Sequence, residues 1–288
     1  MKFIPKDFQK RLDSLILFIE KERKSPDPAR RLEKFKEYSD QKTNEEERLF
    51  FIFLTSHFDC PETAELFFHQ INWKAIKEGQ KIHPACEVFF SEGAAVKIGD
   101  HRRNFRCMKN QDRVNYTEKV LESYRIAIEK IGSQHNYFEI DTHTEFDVLY
   151  RRMEEIEGFK TRLPRFDHLE RVSRIFNCYT NPDSFYVTDS SGPRDGLTLL
   201  FTGSRFRKKA HEMRHYLQGA FISDWNNYCE GRYKIDSTMD WKAILKILEK
   251  WIIDNAKEML QNNLEPDRMY VFDLESHLCN WQKEGNDA

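Results

Sequence analysis

Apolar residues recur along much of this chain every three or four positions, the spacing that lines one face of an α-helix. Phe8, Leu12, Leu15, Ile16 and Ile19 mark such a face near the start. Pro26 and Pro28 predict a break, with a charged helix following through Tyr38. Residues 45–54 begin acidic and turn apolar, as a helix entering a core does. Asp59 and Glu62 stand at capping-box spacing around Pro61, so another helix is predicted there. Residues 114–131 read as a helix stopped by Gly132. Thr142 and Glu145 predict a cap for a helix carrying Phe146, Leu149, Met153 and Ile156, which stops at Gly158. Helices are also predicted over 166–176, over 204–217, and after a cap at Ser237 or Thr238. Leu274, Leu278 and Trp281 mark the last. Only FEID and MYVFD alternate like strands, and both are short. The pattern predicts an all-α chain of about ten helices. Residues 1–40 read as a helical appendage to a main domain over 41–288.

Composition changes this picture little. Charged residues make up 33% and apolar ones 39%, but 23 Phe, 11 Tyr and 5 Trp supply ample bulk for a core. The net charge of -2 gives no global field toward nucleic acid, so any such contact has to come from local basic segments. Six cysteines without a CxxC pair fit reduced thiols in a cytoplasm. The longest apolar run, 49–54, is too short to span a bilayer.

Five stretches carry candidate chemistry. HRRNFRCMKNQDRV places Arg102, Arg103, Arg106, Lys109 and Arg113 close together, and guanidinium forks match phosphate oxygens. A solvated charged surface is the alternative. DSSGPRDGL reads as a tight loop whose N–H groups form an anion nest, with Arg194 adding charge and a helix starting near Asp195. GFKTRLPRFD outlines a helix-hairpin-helix element, with Arg151, Arg152, Lys160, Arg162 and Arg165 making it basic. HEMRH sets His211 and His215 at zinc-peptidase spacing with Glu212 between them and Glu230 the nearest third ligand. Its flanking Lys208, Lys209 and Arg214 favour a basic surface helix instead, and no metal or cofactor is expected. Finally, ESHLCNWQK puts Glu275, Cys279 and Gln282 on a stripe bordering the apolar one, placed to look into a cleft. The chain has no GxxxxGK[ST], no GxGxxG after a strand and no GxSxG.

Three of these stretches, in this order, resemble one family. FRCMKNQDRV is similar to its Arg-Phe…Asp-Arg-Val segment, SSGPRDGL to its Gly-Pro-Gly…Arg-Gly-Leu loop, and DLESHLCNWQK to its terminal Glu-His-x-Leu-Cys-Glu-Phe-x-Lys helix. The family is that of the α-glutamyl/putrescinyl-thymine pyrophosphorylases, its third clade above all. It is related to the helical domain of 5-hydroxymethyluracil DNA kinases and to helical DNA-glycosylase-like proteins. The likeness covers roughly residues 45–283; Asn280, Trp281 and Arg194 depart from the pattern.

The resemblance implies displacement of pyrophosphate from pyrophosphorylated 5-hydroxymethyluracil in DNA by an amino acid or polyamine. It implies pyrophosphate and DNA contacts at Arg106, Asp112, Arg113, Lys160, Arg162, Gly192, Pro193, Arg194 and Gly196. Glu275 is the first candidate base and Asp195 the second, with Cys279 and Lys283 beside them. Phe105 and Trp281 are candidates for a flipped-base pocket. The alternatives are a glycosylase using Asp167 or Asp183, a non-catalytic reader of modified DNA, and a zinc peptidase.

Overall fold

In a computed structural model the described residues are 3–24, 27–91, 96–142, 144–178, 182–259 and 270–283. Among them are sixteen α-helices, short 3₁₀ turns and no strand. In chain order the helices are α1 (Pro5–Lys24), α2 (Asp27–Asp40), α3 (Glu45–Phe58), α4 (Pro61–Gln70), α5 (Trp73–Lys77), α6 (Ile82–Ser91), α7 (Arg103–Arg106) and α8 (Asn110–Ile131). There follow α9 (Gln134–Phe138), α10 (Phe146–Arg152), α11 (Arg162–Phe176), α12 (Ser191–Thr202), α13 (Ala210–Leu217), α14 (Ala220–Tyr228), α15 (Trp241–Met259) and α16 (Tyr270–Trp281). No helix among the described residues is long and apolar enough to cross a membrane. The all-α expectation holds. The helices outnumber the expected ten: α5, α7 and α9 have five residues or fewer, too short to show a period, and α6, α12 and α14 are further helices that the pattern did not predict.

Several starts differ from the sequence reading. Asp59 does not open α4; it closes α3 in the left-handed conformation (φ 53°), and Cys60 precedes Pro61 at the first turn of α4. Glu145, not Thr142, precedes α10. Asp240 caps α15, its carboxylate accepting from Ala243 N at 2.8 Å, rather than Ser237 or Thr238. FEID lies at the end of α9 and the described part of MYVFD opens α16. Pro26 and Met269 lie outside the described residues.

The chain forms two compact units: residues 1–26 with 181–288, and residues 27–180. In the second, α3 is the central element, packed by α2, α4, α9 and α11. Its side chains from Leu49 to Phe58 are all buried, which explains a run too apolar for an amphipathic surface helix. Its C-terminus is closed by two guanidiniums. Arg171 donates to Thr55 O at 2.6 Å, which also accepts Asp59 N at 2.8 Å, and Arg102 donates to Ser56 O at 2.7 Å, bringing two positive charges to the negative end of the helix. In the first unit, α12 packs on α16, and α1 packs on both. From α15, the buried Glu249 accepts Phe185 N at 2.8 Å and Ser184 Oγ at 2.9 Å, fixing the segment that leads into α12.

Two histidines are buried in the second unit. His168 Nδ1 meets Ser56 Oγ at 3.0 Å and His57 Nε2 meets Thr117 Oγ1 at 3.1 Å. Burial pushes both down to about 3, aided by Arg102 at His57 and by Arg171 and Arg102 at His168. An unfolded histidine takes up its proton near pH 6.5. Between these values the unfolded state binds more protons, so stability falls as pH falls, by about 1.4 kcal/mol per pH unit for each histidine. Urea melts from neutral pH down to about pH 4 should show this slope, and His57→Gln should remove roughly half of it. An unchanged slope would mean that His57 is not held neutral.

Candidate functional site

The SSGPRDGL segment is not a loop. Helix α12 begins at Ser191, so Gly192 through Gly196 are helical, and the expected anion nest gives way to a helix start. Pro193 fits there because the first turn has no use for its missing N–H. Gly192 and Gly196, one turn apart, form a bare stripe that faces α16. A Cβ on Gly192 would overlap Cys279 Sγ, and one on Gly196 would strike the backbone carbonyl of Leu278. The glycines thus let two helices approach closer than side chains permit. The segment and the terminal helix, more than eighty residues apart in sequence, form one surface.

On α16, Leu274, Leu278 and Trp281 point inward, as the spacing predicts. Glu275 borders them at 9% exposure, with Ser276 Oγ donating to it at 3.4 Å. Cys279 is half-buried against Gly192, and its carbonyl accepts from Gln282 Nε2 at 3.0 Å. Lys283 is exposed and donates to Asn280 at 3.3 Å. Asp195 is 1% exposed and spoken for: it accepts Arg207 N at 2.9 Å and pairs with the Arg207 guanidinium. This locks the 3₁₀ turn at 206–208 onto α12, a positioning task. Arg194 donates to Thr188 O at 3.0 Å and lies over the Phe206 ring at 4.8 Å. Trp281 is fully buried and its indole N–H reaches Ser14 Oγ at 3.3 Å, so it offers no open face to a base.

The second unit holds the other candidates. Phe105 is 4% exposed, packed on His57, Phe58, Phe90 and Tyr116, and likewise presents no open ring face. Arg106 and Asp112 are exposed, and Arg113 is half-buried, donating to Arg106 O at 2.6 Å. Lys160 is exposed and pairs with Glu157. The hairpin between α10 and α11 turns at Gly158 (φ 79°); Arg151 is exposed and Arg152 half-buried, but Arg162 and Arg165 face inward. Arg162 is 4% exposed and lies over Phe166 at 4.0 Å; Arg165 donates to Tyr150 O at 3.1 Å and pairs with Glu154.

One cluster there escapes the sequence reading. His101 Nδ1 stands 3.5 Å from Asp167, and its side chain is half-exposed. Asp167 is buried against Arg102 at 3.2 Å, and Asp59 pairs with Arg171 at 2.8 Å while accepting His101 N at 3.2 Å. Burial alone would raise the Asp167 carboxyl, but His101, Arg102 and Arg171 hold it far below the carboxylate range. The hydrogen bond to Asp167 in turn raises His101 above its usual value, with Asp59 assisting and burial and Arg102 opposing. Asp59, His101 and Asp167 could also ligate a cation, but two arginines already occupy the carboxylates. The arrangement is a histidine oriented by a carboxylate, able to move a proton at its outer nitrogen. Its signal in the sequence was faint: His101 and Asp167 lie at the edges of two separate motifs. Asp183, the other glycosylase candidate, is exposed.

The zinc reading finds little support in the geometry. His211 and His215 stand exposed with rings 4.5 Å apart, and no third ligand group joins them among the described residues.

Such an all-α fold, with a glycine-faced helix seated on α16, defines a helical protein in which the SSGPRDGL and ESHLCNWQK segments meet. Residues 29–288 match the family ADDT, amino acid:DNA transferase, and the chain belongs to that family. It is a transferase that acts on DNA with an amino acid. No curated protein and no solved structure matches it.

Two outcomes test the site. Gly196→Ala meets backbone and should cost about 2 kcal/mol of stability. Gly192→Ala meets a side chain, and Cys279→Ala in the same chain should restore most of its loss, measured by urea denaturation. Separately, Asp167→Asn should lower the His101 pKa, followed by proton NMR; an unmoved titration would dissolve the pair.

Proposed function

We propose that the protein displaces pyrophosphate from pyrophosphorylated 5-hydroxymethyluracil in DNA with the amine of an amino acid or polyamine. The observation that carries this reading is the seating of the α12 glycine face on α16, which joins Arg194, Cys279 and Glu275 to one helix pair. The amine nitrogen attacks the exocyclic carbon, the carbon–oxygen bond breaks, and pyrophosphate departs with the electron pair. Developing negative charge on that leaving group calls for fixed cations. Arg194 supplies one, held by Thr188 and Phe206 at the first turns of α12, where the helix dipole adds to it. The attacking ammonium has to lose a proton, and Glu275 is the acceptor. Asp195 drops out of that role because Arg207 holds it. Arg106, Arg113 and Lys160 serve DNA phosphates; Arg162, turned onto Phe166, serves the fold.

The experiment uses a duplex carrying the pyrophosphorylated base, a pool of amino acids and polyamines, and mass spectrometry of the digested nucleosides. A new nucleoside with the mass of an amine adduct is expected. Arg194→Ala and Glu275→Gln should each slow its formation by about 100-fold or more. Release of free base would instead mark a glycosylase, and an unchanged nucleoside profile with tight binding would mark a reader.

A further inference from the structure

Residues 205–215 hold five Arg or Lys and two His against a single Glu212. The apolar members turn inward, Phe206 at 3% exposure and Met213 at 0%. Arg207, Lys208, Lys209, His211, Arg214 and His215 are all exposed. Aromatic rings prop the cations in place. Arg214 lies over Trp241 at 5.0 Å and over Phe206 at 5.8 Å, and Arg194 lies over Phe206 at 4.8 Å. Lys242 joins from α15, its ammonium 5.7 Å from Trp241.

These charges are crowded. Burial lowers the Arg194 pKa, Asp195 opposes, and the neighbouring Arg207 and Arg214 depress it further. Among the described residues Asp195 and Asp189 offset this only in part. Asp195 is consumed by Arg207, Asp240 caps α15, and Glu212 stands alone on α13. A face on which Lys209, His211, Arg214, His215 and Lys242 are exposed together suits an external anion. One pyrophosphate cannot engage them all. Helix α13 alone spans about 12 Å, while each strand of a duplex carries a charge every 3.4 Å or so along its axis.

We infer that the face formed by the 206–208 turn, α13 and the start of α15 is the docking surface for the sugar–phosphate backbone of duplex DNA. The inference rests on the transferase reading for its substrate. The histidines of HEMRH then serve as phosphate contacts, and the lysines track the strand. Backbone contacts of this kind position a duplex without reading its sequence.

The test is the affinity of the full chain for an unmodified duplex, followed by fluorescence anisotropy across a potassium chloride series. The double variant Lys209→Gln, Lys242→Gln should bind at least several-fold more weakly, with the log–log salt slope reduced by about one for each phosphate no longer neutralised. Lys77→Gln, an exposed charge removed from α5, should change neither quantity. Thermal melts confirm that each variant folds. A double variant with the parent's affinity and salt slope overturns the inference, as does an equal loss in Lys77→Gln. Loss of binding on adding a chelator overturns it too, since HEMRH would then hold a metal. Binding is read without chemistry: a chain that grips DNA through this face but transfers no amine would remove the transferase reading and leave the surface standing.

Discussion

The closeness of α12 and α16 is the constraint on which the candidate site depends. Two glycines one turn apart remove the side chains that would hold the helices apart, and Leu278 O and Cys279 Sγ occupy the space gained. Everything else near the site is arranged around that contact. Glu249 fixes the approach to α12, Asp195 ties it to the turn at 206–208, and α1 covers it together with α16. Glycine weakens a helix by about 1 kcal/mol relative to alanine. Two of them in one twelve-residue helix are a local conflict that the packing resolves.

The second organising principle is where the arginines go. Several of the most suggestive ones are structural. Arg102 and Arg171 close the end of α3, and Arg162 and Arg165 lie on aromatic rings inside the hairpin. Buried guanidiniums of this kind exchange hydration for carbonyls, carboxylates and ring faces, so they cannot also face a phosphate. Basic composition in a motif is therefore a poor guide to nucleic-acid contact. The cations left in solvent, around α13 above all, are the ones available to an anion.

Much of the fold was legible from the apolar period. The run at 49–54, the stop at Gly132 and the inward stripe Leu274, Leu278, Trp281 all lie where the spacing predicts. Helix starts were harder: Asp59, the expected start of α4, closes α3 instead, and Asp240 does at α15 the capping expected of Ser237 or Thr238. The SSGPRDGL segment misled for a related reason. Gly, Pro and Ser favour turns locally, and only a partner helix far along the chain converts the same residues into a tight interface. The His101–Asp167 pair was invisible because its members are 66 residues apart, and no periodicity links them. Trp281 and Phe105 looked like stacking platforms from residue type alone; burial shows that each ring is enclosed by its own core.

The HEMRH stretch is informative despite its misleading pattern. Spacing brings two imidazoles together on any helix, so it cannot separate a metal site from a basic face. The neighbours can. A structural metal site wants closed, uncharged surroundings and further ligands. Here the rings project into solvent among Lys208, Lys209 and Arg214, and a guanidinium rests on Trp241. Adding a divalent cation to that face would increase the repulsion already felt by Arg194, whereas a phosphate backbone would discharge it. The sign of the local field, rather than the pattern of ligand residues, decides what this helix is built to meet.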